Sequence, residues 1–173
     1  MNAMASPPVA AADFVAAMGM AATGVSVITT DGPAGRFGLT VSAVSSVSAD
    51  PPLVLICVNR KSPAVAALDD NGVFAVNLLA VHNKAYADTF SGRPASGKPF
   101  DFANHAWRDG DTGLPLVSDA TAVFECETAN SFDAGSHRIF IGRVVAARKS
   151  EAEPLVYCNR AYRRIVSHEG TPT

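Results

Sequence analysis

Residues 37–52, FGLTVSAVSSVSADPP, read as extended chain, yet the stretch carries five hydroxyls and little side-chain bulk. Leu39, Val41, Ala43 and Val47 alternate with Thr40, Ser42, Ser46 and Ser48, which is the period of a strand. The alternation breaks at Val44–Ser45, and a phase break inside a strand predicts a bulge. Small side chains there let a flat ligand approach the backbone, and hydroxyls with free N–H groups suit a phosphate. A solvated strand face has the same composition, so these residues alone leave both readings open. Asp50-Pro51-Pro52 then turns the chain and withholds two donors.

Upstream, Asp13 is placed to cap a short helix through Met20, with Phe14, Ala17, Met18 and Ala21 on one stripe and Gly24 beyond its end. VSVITT (25–30) is β-branched and alternating, hence a strand. DGPAGR (31–36) is a turn that feeds a hairpin into 37–48. Downstream, LVLICV (53–58) is apolar throughout and reads as buried on both faces. SPAVAALDDNG (62–72) is a helix, with Pro63 in its first turn and Gly72 at its end. Strands follow at 73–79, 121–129, 138–149 and 154–158, with a helix at 82–90. SGRPASGKPFDFANHAW (91–107) is a long Gly/Pro-rich loop, and loops of that length in compact domains are usually functional. Strands dominate and no βαβ rhythm is sustained. The expected fold is mainly β: a split antiparallel barrel with a few peripheral short helices. Residues 1–12 are expected to be an N-terminal arm, 13–166 the domain and 167–173 a C-terminal tail.

The chain has 173 residues, one domain's worth. Its charged fraction is 17%, below the roughly 25% of typical globular chains, which points to surface covered by another subunit. The net charge of −2 and the lack of a basic run argue against nucleic acid. No run is long enough to span a bilayer, and Pro7, Pro8 and Asp13 interrupt any signal-like start; the expectation is a cytoplasmic protein without membrane contact. Cys57, Cys126 and Cys158 are far apart and odd in number, and the four histidines form no H-x-H or HExxH pattern, so no metal is expected. Cys57 reads as a buried free thiol. There is no GxGxxG, Walker A or G-x-S-x-G. Asn59-Arg60-Lys61-Ser62, directly after the buried strand, is a polar knot with positive charge. On its own that is an ordinary basic loop.

At these residues the chain resembles the flavin reductase family of split-barrel flavin-binding proteins, which supply the reductase components of two-component aromatic monooxygenases. The resemblance runs through AMGMAATGVSVITTDGPAGRFGLTVSAVSSVSADPPLVLICVNRKS, FAVNLL, FSG (90–92), KPF (98–100), GLPL (113–116), GSHRIFIGRV (135–144) and PLVYCNRAYRR (154–164), over about residues 13–166. It implies a homodimer that binds FMN or FAD, reduces it with NADH or NADPH, and releases reduced flavin to a separate flavin-dependent oxygenase. It implies that Arg36, Phe37, Gly38, Leu39, Thr40, Val41, Ser42 and Ala43 flank the flavin ring through backbone contacts. It further implies that Ser45, Ser46, Asn59, Arg60, Lys61 and Ser62 surround the ribityl chain and phosphate. By the same resemblance Phe90, Ser91, Gly92, Lys98 and Phe100 close over the outer cofactor, and Tyr162 and Arg163 form a C-terminal basic-aromatic element. His137 holds the Gly-x-His position linked to nicotinamide binding, with Ser136 where many relatives carry Asp or Thr. From residue type alone, His137 is a strand-start histidine at a surface turn. Hydride transfer between two bound rings needs positioning more than a protein acid or base, which accords with a chain lacking a triad or paired carboxylates. Two alternatives are a flavin-binding sensor or carrier without turnover, and a pyridoxine-phosphate-oxidase-like flavoenzyme on the same barrel.

Overall fold

The structure is a computed structural model that describes residues 7–166. Residues 1–6 of the expected arm and the whole expected tail, 167–173, lie outside the described residues. After a short helix α1 (Ala11–Met18) and a brief strand β1 (Thr23–Gly24), the chain builds β2 (Ser26–Thr30), β3 (Phe37–Val41), β4 (Val44–Ala49) and β5 (Pro52–Asn59). Helix α2 (Ala64–Asn71), β6 (Val73–Leu78) and helix α3 (Lys84–Phe90) follow. A small hairpin, β7 (Trp107–Asp109) and β8 (Pro115–Val117), precedes the long pair β9 (Ala122–Ala134) and β10 (His137–Lys149), and a last hairpin, β11 (Val156–Cys158) and β12 (Ala161–Arg163), closes the chain.

Seven strands form one sheet in the order β3-β2-β6-β9-β10-β5-β4, each pair antiparallel. Ile28, Val54, Ile56, Val58, Phe74, Val76, Cys126 and Phe140 come from five of these strands and meet with Leu68 of α2 in one buried cluster. The opposite face of β2, β6 and β9 (Val27, Ala75, Val123) packs with Leu79, Ala87, Phe90, Leu114 and Leu116. A sheet curled round one apolar filling and left unclosed at its edges is a split barrel, the architecture expected.

The split falls within residues 37–52, and here the expectation of one bulged strand is corrected. β3 and β4 are the two opposite edges of the sheet. Ser42 and Ala43 carry the chain from one edge to the other, where the Ala43 carbonyl accepts Cys57 N–H at 3.1 Å. There the chain changes partners, from β2 to β5, two residues before the break in alternation at Val44–Ser45, which falls inside regularly paired β4. A register irregularity does occur, but later, between Ser46 and Ser48, and it turns Val47 outward at 45% exposure. The Asp50–Pro51 peptide bond at the following turn is cis.

Other differences have equally local causes. β5 alternates, with Val54, Ile56 and Val58 buried and Leu53, Leu55 and Cys57 half-buried, because only one of its faces lies against the barrel filling. Asp13 is not the cap of α1; Ala10 precedes the helix and Asp13 sits in its first turn, where a carboxylate complements the helix dipole. The β7–β8 hairpin was hidden in a loop-like composition. Buried polar groups hold it: Thr29 donates to the Pro115 carbonyl at 2.7 Å, and Asn77 accepts from Val117 N–H at 2.9 Å.

Candidate functional site

Three recesses lie along the β3–β4 segment. At the start of β3, Arg36, Phe37, Gly38, Ser62, Pro63, Ala64 and Phe100 line a recess of about 240 Å³. At its end, Thr40, Val41 and Ser42 face Asp88, Ser91 and Arg93 of the α3 end and Tyr157, Arg160 and Tyr162 of the last hairpin, around about 320 Å³. Beyond the crossing, Ser42, Val44, Ser45 and Ser46 line a third, of about 510 Å³, with Ala22, Thr23, Gly24, Ser26, Val54, Leu78 and Phe124.

Gly38 explains how β3 can be a wall. A Cβ on Gly38 would stand 2.6 Å from Phe90 and 3.0 Å from Phe102, so the bare backbone lies directly on aromatic rings. Phe90 is 1% exposed and packs edge-on to Phe102 and Trp107. Its ring therefore supports β3 from beneath, and only its backbone is available to a ligand. Leu39 likewise turns its side chain to the barrel filling. Trp107 donates to the Phe102 carbonyl at 2.9 Å and packs on Phe90, so it belongs to the core. Arg36 pairs with Asp31 at 2.6 Å and lies over the Phe102 ring.

The residues expected to surround the ribityl chain and phosphate fall into two groups within one chain. Ser46 pairs with Val54 near the start of β5, whereas Asn59 ends that strand five residues on, about 17 Å away at roughly 3.4 Å per residue. Ser45 and Ser46 therefore belong with one recess and Ser62 with another. Asn59 accepts Lys61 N–H at 3.0 Å, and Ser62 accepts Ala64 N–H at 3.3 Å as the chain enters α2. Arg60 donates to the Gly135 carbonyl at 3.3 Å and pairs with Asp133 at 3.1 Å. Lys61 is exposed on this loop.

Ser91 donates to the Asp88 carbonyl at 3.0 Å, and Gly92 (φ 81°) makes the turn that follows. Phe100 (φ 60°) is 53% exposed, with its N–H on the Thr89 carbonyl. Lys98 is exposed on the same loop, and Arg163 is exposed at the end of β12. Tyr162 donates to Asp88 at 3.0 Å. Burial and that carboxylate push its phenol up to about 12, so it remains a donor at any physiological pH. His137 opens β10 on an exposed turn made by Gly135 (φ 59°), with Nδ1 2.9 Å from the Ser136 hydroxyl.

Sequence reasoning missed four residues that the fold brings to these walls: Ser26, Arg93, Tyr157 and Arg160. A lone serine in the apolar run VSVITT was a usable signal. So was Asn159-Arg160 between two short strands, a two-residue hairpin turn whose residues have φ of 49° and 58°. Such turns favour Asn followed by Gly, and arginine in the left-handed region costs about 1–2 kcal/mol.

The recess with Ser26, Ser42, Ser45 and Ser46 pairs apolar walls with hydroxyls, and the buried Ser26 Oγ has no hydrogen-bond partner among the described residues. A buried orphan hydroxyl is uncommon, and a polar group of a bound molecule would satisfy it. This donor set suits a flavin, whose ring and ribityl chain combine flat apolar area with many oxygens.

The flavin reductase like domain matches residues 18–166. The chain belongs to that family. It is 43% identical over 164 residues to the FMN reductase (NADH) RutF 1 of Methylorubrum extorquens, covering 93% of this chain and 80% of that protein. It superposes with a TM-score of 0.82 and 31% identity on BorF, the flavin reductase component of a bacterial two-component tryptophan halogenase, covering 92% of this chain and all of that one. The Streptomyces globisporus NADH:FAD oxidoreductase SgcE6, solved with NAD and FAD fragments, matches with a TM-score of 0.82 and 30% identity, over 95% of this chain and all of the other. The family's barrel is thus shared over nearly the whole described chain.

Proposed function

We infer that this protein is an NADH-dependent flavin reductase whose product, reduced flavin, serves a separate flavin-dependent oxygenase. The observation that carries it is the 43% identity with an NADH-dependent FMN reductase over 93% of the chain, together with hydroxyl-lined recesses on the bare backbone of β3. The oxygenase follows from relatives such as BorF, a component of a two-component system.

A bound flavin supplies the hydride-accepting chemistry. The chain's own residues do the binding and orienting. The backbone of Arg36–Ala43 would hold the ring, with Phe90 and Phe102 stiffening β3 from below. Ser26, Ser42, Ser45 and Ser46 offer hydroxyls to its polar edge and chain. Asn59, Lys61 and Ser62 form a separate polar knot for a phosphate, with Arg60 shaping the loop. Ser91, Gly92, Lys98 and Phe100 border the outer end, and Tyr162 with Arg163 closes the far side. His137 holds the nicotinamide substrate. The protein works as a homodimer in the cytoplasm. No helix among the described residues is long and apolar enough to cross a membrane. Residues 13–166 form the working domain.

The test is NADH oxidation with FMN and with FAD, read at 340 nm, followed by transfer of reduced flavin to an oxygenase in a separate compartment. Flavin-dependent NADH consumption is expected. Tight flavin binding without NADH consumption would overturn this reading in favour of a carrier or sensor.

A further inference from the structure

We propose that Arg93 and Arg160 form a clamp for the diphosphate of a dinucleotide in the recess between β3, α3 and the last hairpin. The reductase reading above supplies the two dinucleotides to be tested, NADH and FAD; the clamp itself rests on the local geometry. Two arginines from separate elements, the loop after α3 and the β11–β12 turn, line one recess of about 320 Å³.

The charge accounting favours an anion. Arg36, Arg60, Arg138, Arg143, Arg148 and Arg164 each face a carboxylate. Arg93, Arg108, Arg160 and Arg163 have no such partner among the described residues, and of these only Arg93 and Arg160 line this recess. Asp88 lines the same recess, but Lys84 neutralises it at 2.5 Å and Tyr162 donates to it. The recess therefore keeps two positive charges without a local counter-charge. Guanidinium takes phosphate oxygens bidentately, so two of them match two phosphates. Tyr157 and Tyr162, packed edge to face at 5.5 Å, add an aromatic wall on which a base or nicotinamide ring can lie.

Arg160 supplies an independent observation. It sits at φ 58° directly after Asn159 at 49°, in the turn position where glycine is relaxed. A strained non-glycine residue is retained where its side chain has a task. Arg160 is one of the residues that line the recess.

The experiment compares wild type with Arg160→Gly, Arg93→Met and the double variant. Binding of NAD+, FAD and FMN is measured by titration calorimetry, melting temperature by thermal scan, and KM for NADH by steady-state kinetics. Arg160→Gly should melt no lower than wild type, because the turn relaxes. It should nonetheless weaken at least one dinucleotide roughly tenfold, the loss expected for a charge-assisted hydrogen bond, while FMN changes less than twofold. Arg93→Met should weaken the same dinucleotide. Weaker NAD+ with raised NADH KM identifies the nicotinamide substrate as the source of the diphosphate; weaker FAD alone identifies the flavin. Unchanged dinucleotide affinities in folded variants would overturn the clamp, as would FMN weakening as much as FAD. A wild type that binds NAD+ through Arg160 yet consumes no NADH with flavin would remove the reductase reading and leave the clamp standing.

Discussion

Asn59, the last residue of β5, stands directly opposite His137, the first residue of β10. That register sets the polar knot 59–62 beside the Gly135–Ser136 turn. Arg60 joins the two: its N–H reaches the Ser136 carbonyl at 3.1 Å, its guanidinium the Gly135 carbonyl at 3.3 Å and Asp133 at 3.1 Å. The histidine is thus exposed but mounted on a turn that Arg60 ties to the end of β5. We expect His137→Ala to raise KM for NADH severalfold, with flavin affinity little changed and melting temperature within about a degree of wild type, since surface changes are usually within about 0.5 kcal/mol. Steady-state kinetics with varied NADH at saturating flavin checks this. Normal KM and kcat in the folded variant would make His137 a surface-turn residue.

The separation of Ser46 from Ser62 along β5 makes a second prediction. The two serines line different recesses of one chain, so their alanine variants should differ in kind. Ser46→Ala is exposed and unpaired to structure, and should weaken flavin by about 1 kcal/mol without lowering stability. Ser62→Ala also removes the acceptor for Ala64 N–H at the start of α2, and should cost about 1 kcal/mol of stability besides. Flavin titration and denaturant melts of both variants, run side by side, distinguish this from a single shared cradle. Equal effects on affinity and none on stability would sink it.

The strands were legible because apolar and polar residues alternate in them, and both turns around α2 were legible from Pro63 and Gly72 (φ 66°). Pairing was not. Nothing in Thr40–Ser46 says that the chain leaves one sheet edge for the other at Ser42–Ala43; that depends on how far the whole sheet curls. The β7–β8 hairpin was hidden for a related reason. Its three-residue strands carry little pattern, and distant groups stabilise it, among them Thr29, Asn77 and Glu125. At the candidate site, motif resemblance led to Thr40, Ser42, Ser91 and Tyr162, which do share a recess. It did not lead to Arg93 or Arg160, because a lone arginine beside a turn carries no sequence signature of what it faces.

Glu125 tests how the hairpin is held. Its side chain is fully buried, and its carboxylate accepts the Asp111 N–H at 3.1 Å, the Thr112 N–H at 2.8 Å, the Thr112 hydroxyl and the Arg148 guanidinium at 2.9 Å. Burial pushes this carboxyl up, but the Thr112, Asp111 and Arg148 donors outweigh it and hold it below the usual glutamate range. A folded-state value below the unfolded one gives stability that is complete above the ordinary glutamate range. That stability is lost as pH falls through the depressed folded value. Glu125→Gln should therefore cost about 2–3 kcal/mol near neutral pH, because it removes the charge and sets an amide N–H₂ against N–H donors. The gap between variant and wild type should narrow in acid. Denaturant melts from pH 7 downward check both parts; a gap that widens toward acid would refute the assignment.

The last prediction concerns α1. Helices on globular domains usually bury one apolar stripe, yet α1 has no buried residue, and Phe14, Val15 and Met18 are 55%, 53% and 55% exposed. The chain carries only 17% charged residues overall, so little of its surface is built for permanent contact with water. A cluster of this kind marks an interaction site, and a second copy of the chain is the partner proposed above. The site would be isologous, with α1 of each subunit lying on the same patch of the other. Phe14, Val15 and Met18 share a further recess with Ser42, Tyr157 and Arg160, so the covering subunit would also wall the dinucleotide recess. Phe14→Glu with Met18→Glu should therefore shift the protein from dimer to monomer in sedimentation and lower turnover together with it, while far-ultraviolet dichroism stays that of the wild type. Wild type sedimenting at micromolar concentration as a single species near 17.9 kDa would defeat the dimer outright. A double variant that stays dimeric would move the interface away from α1.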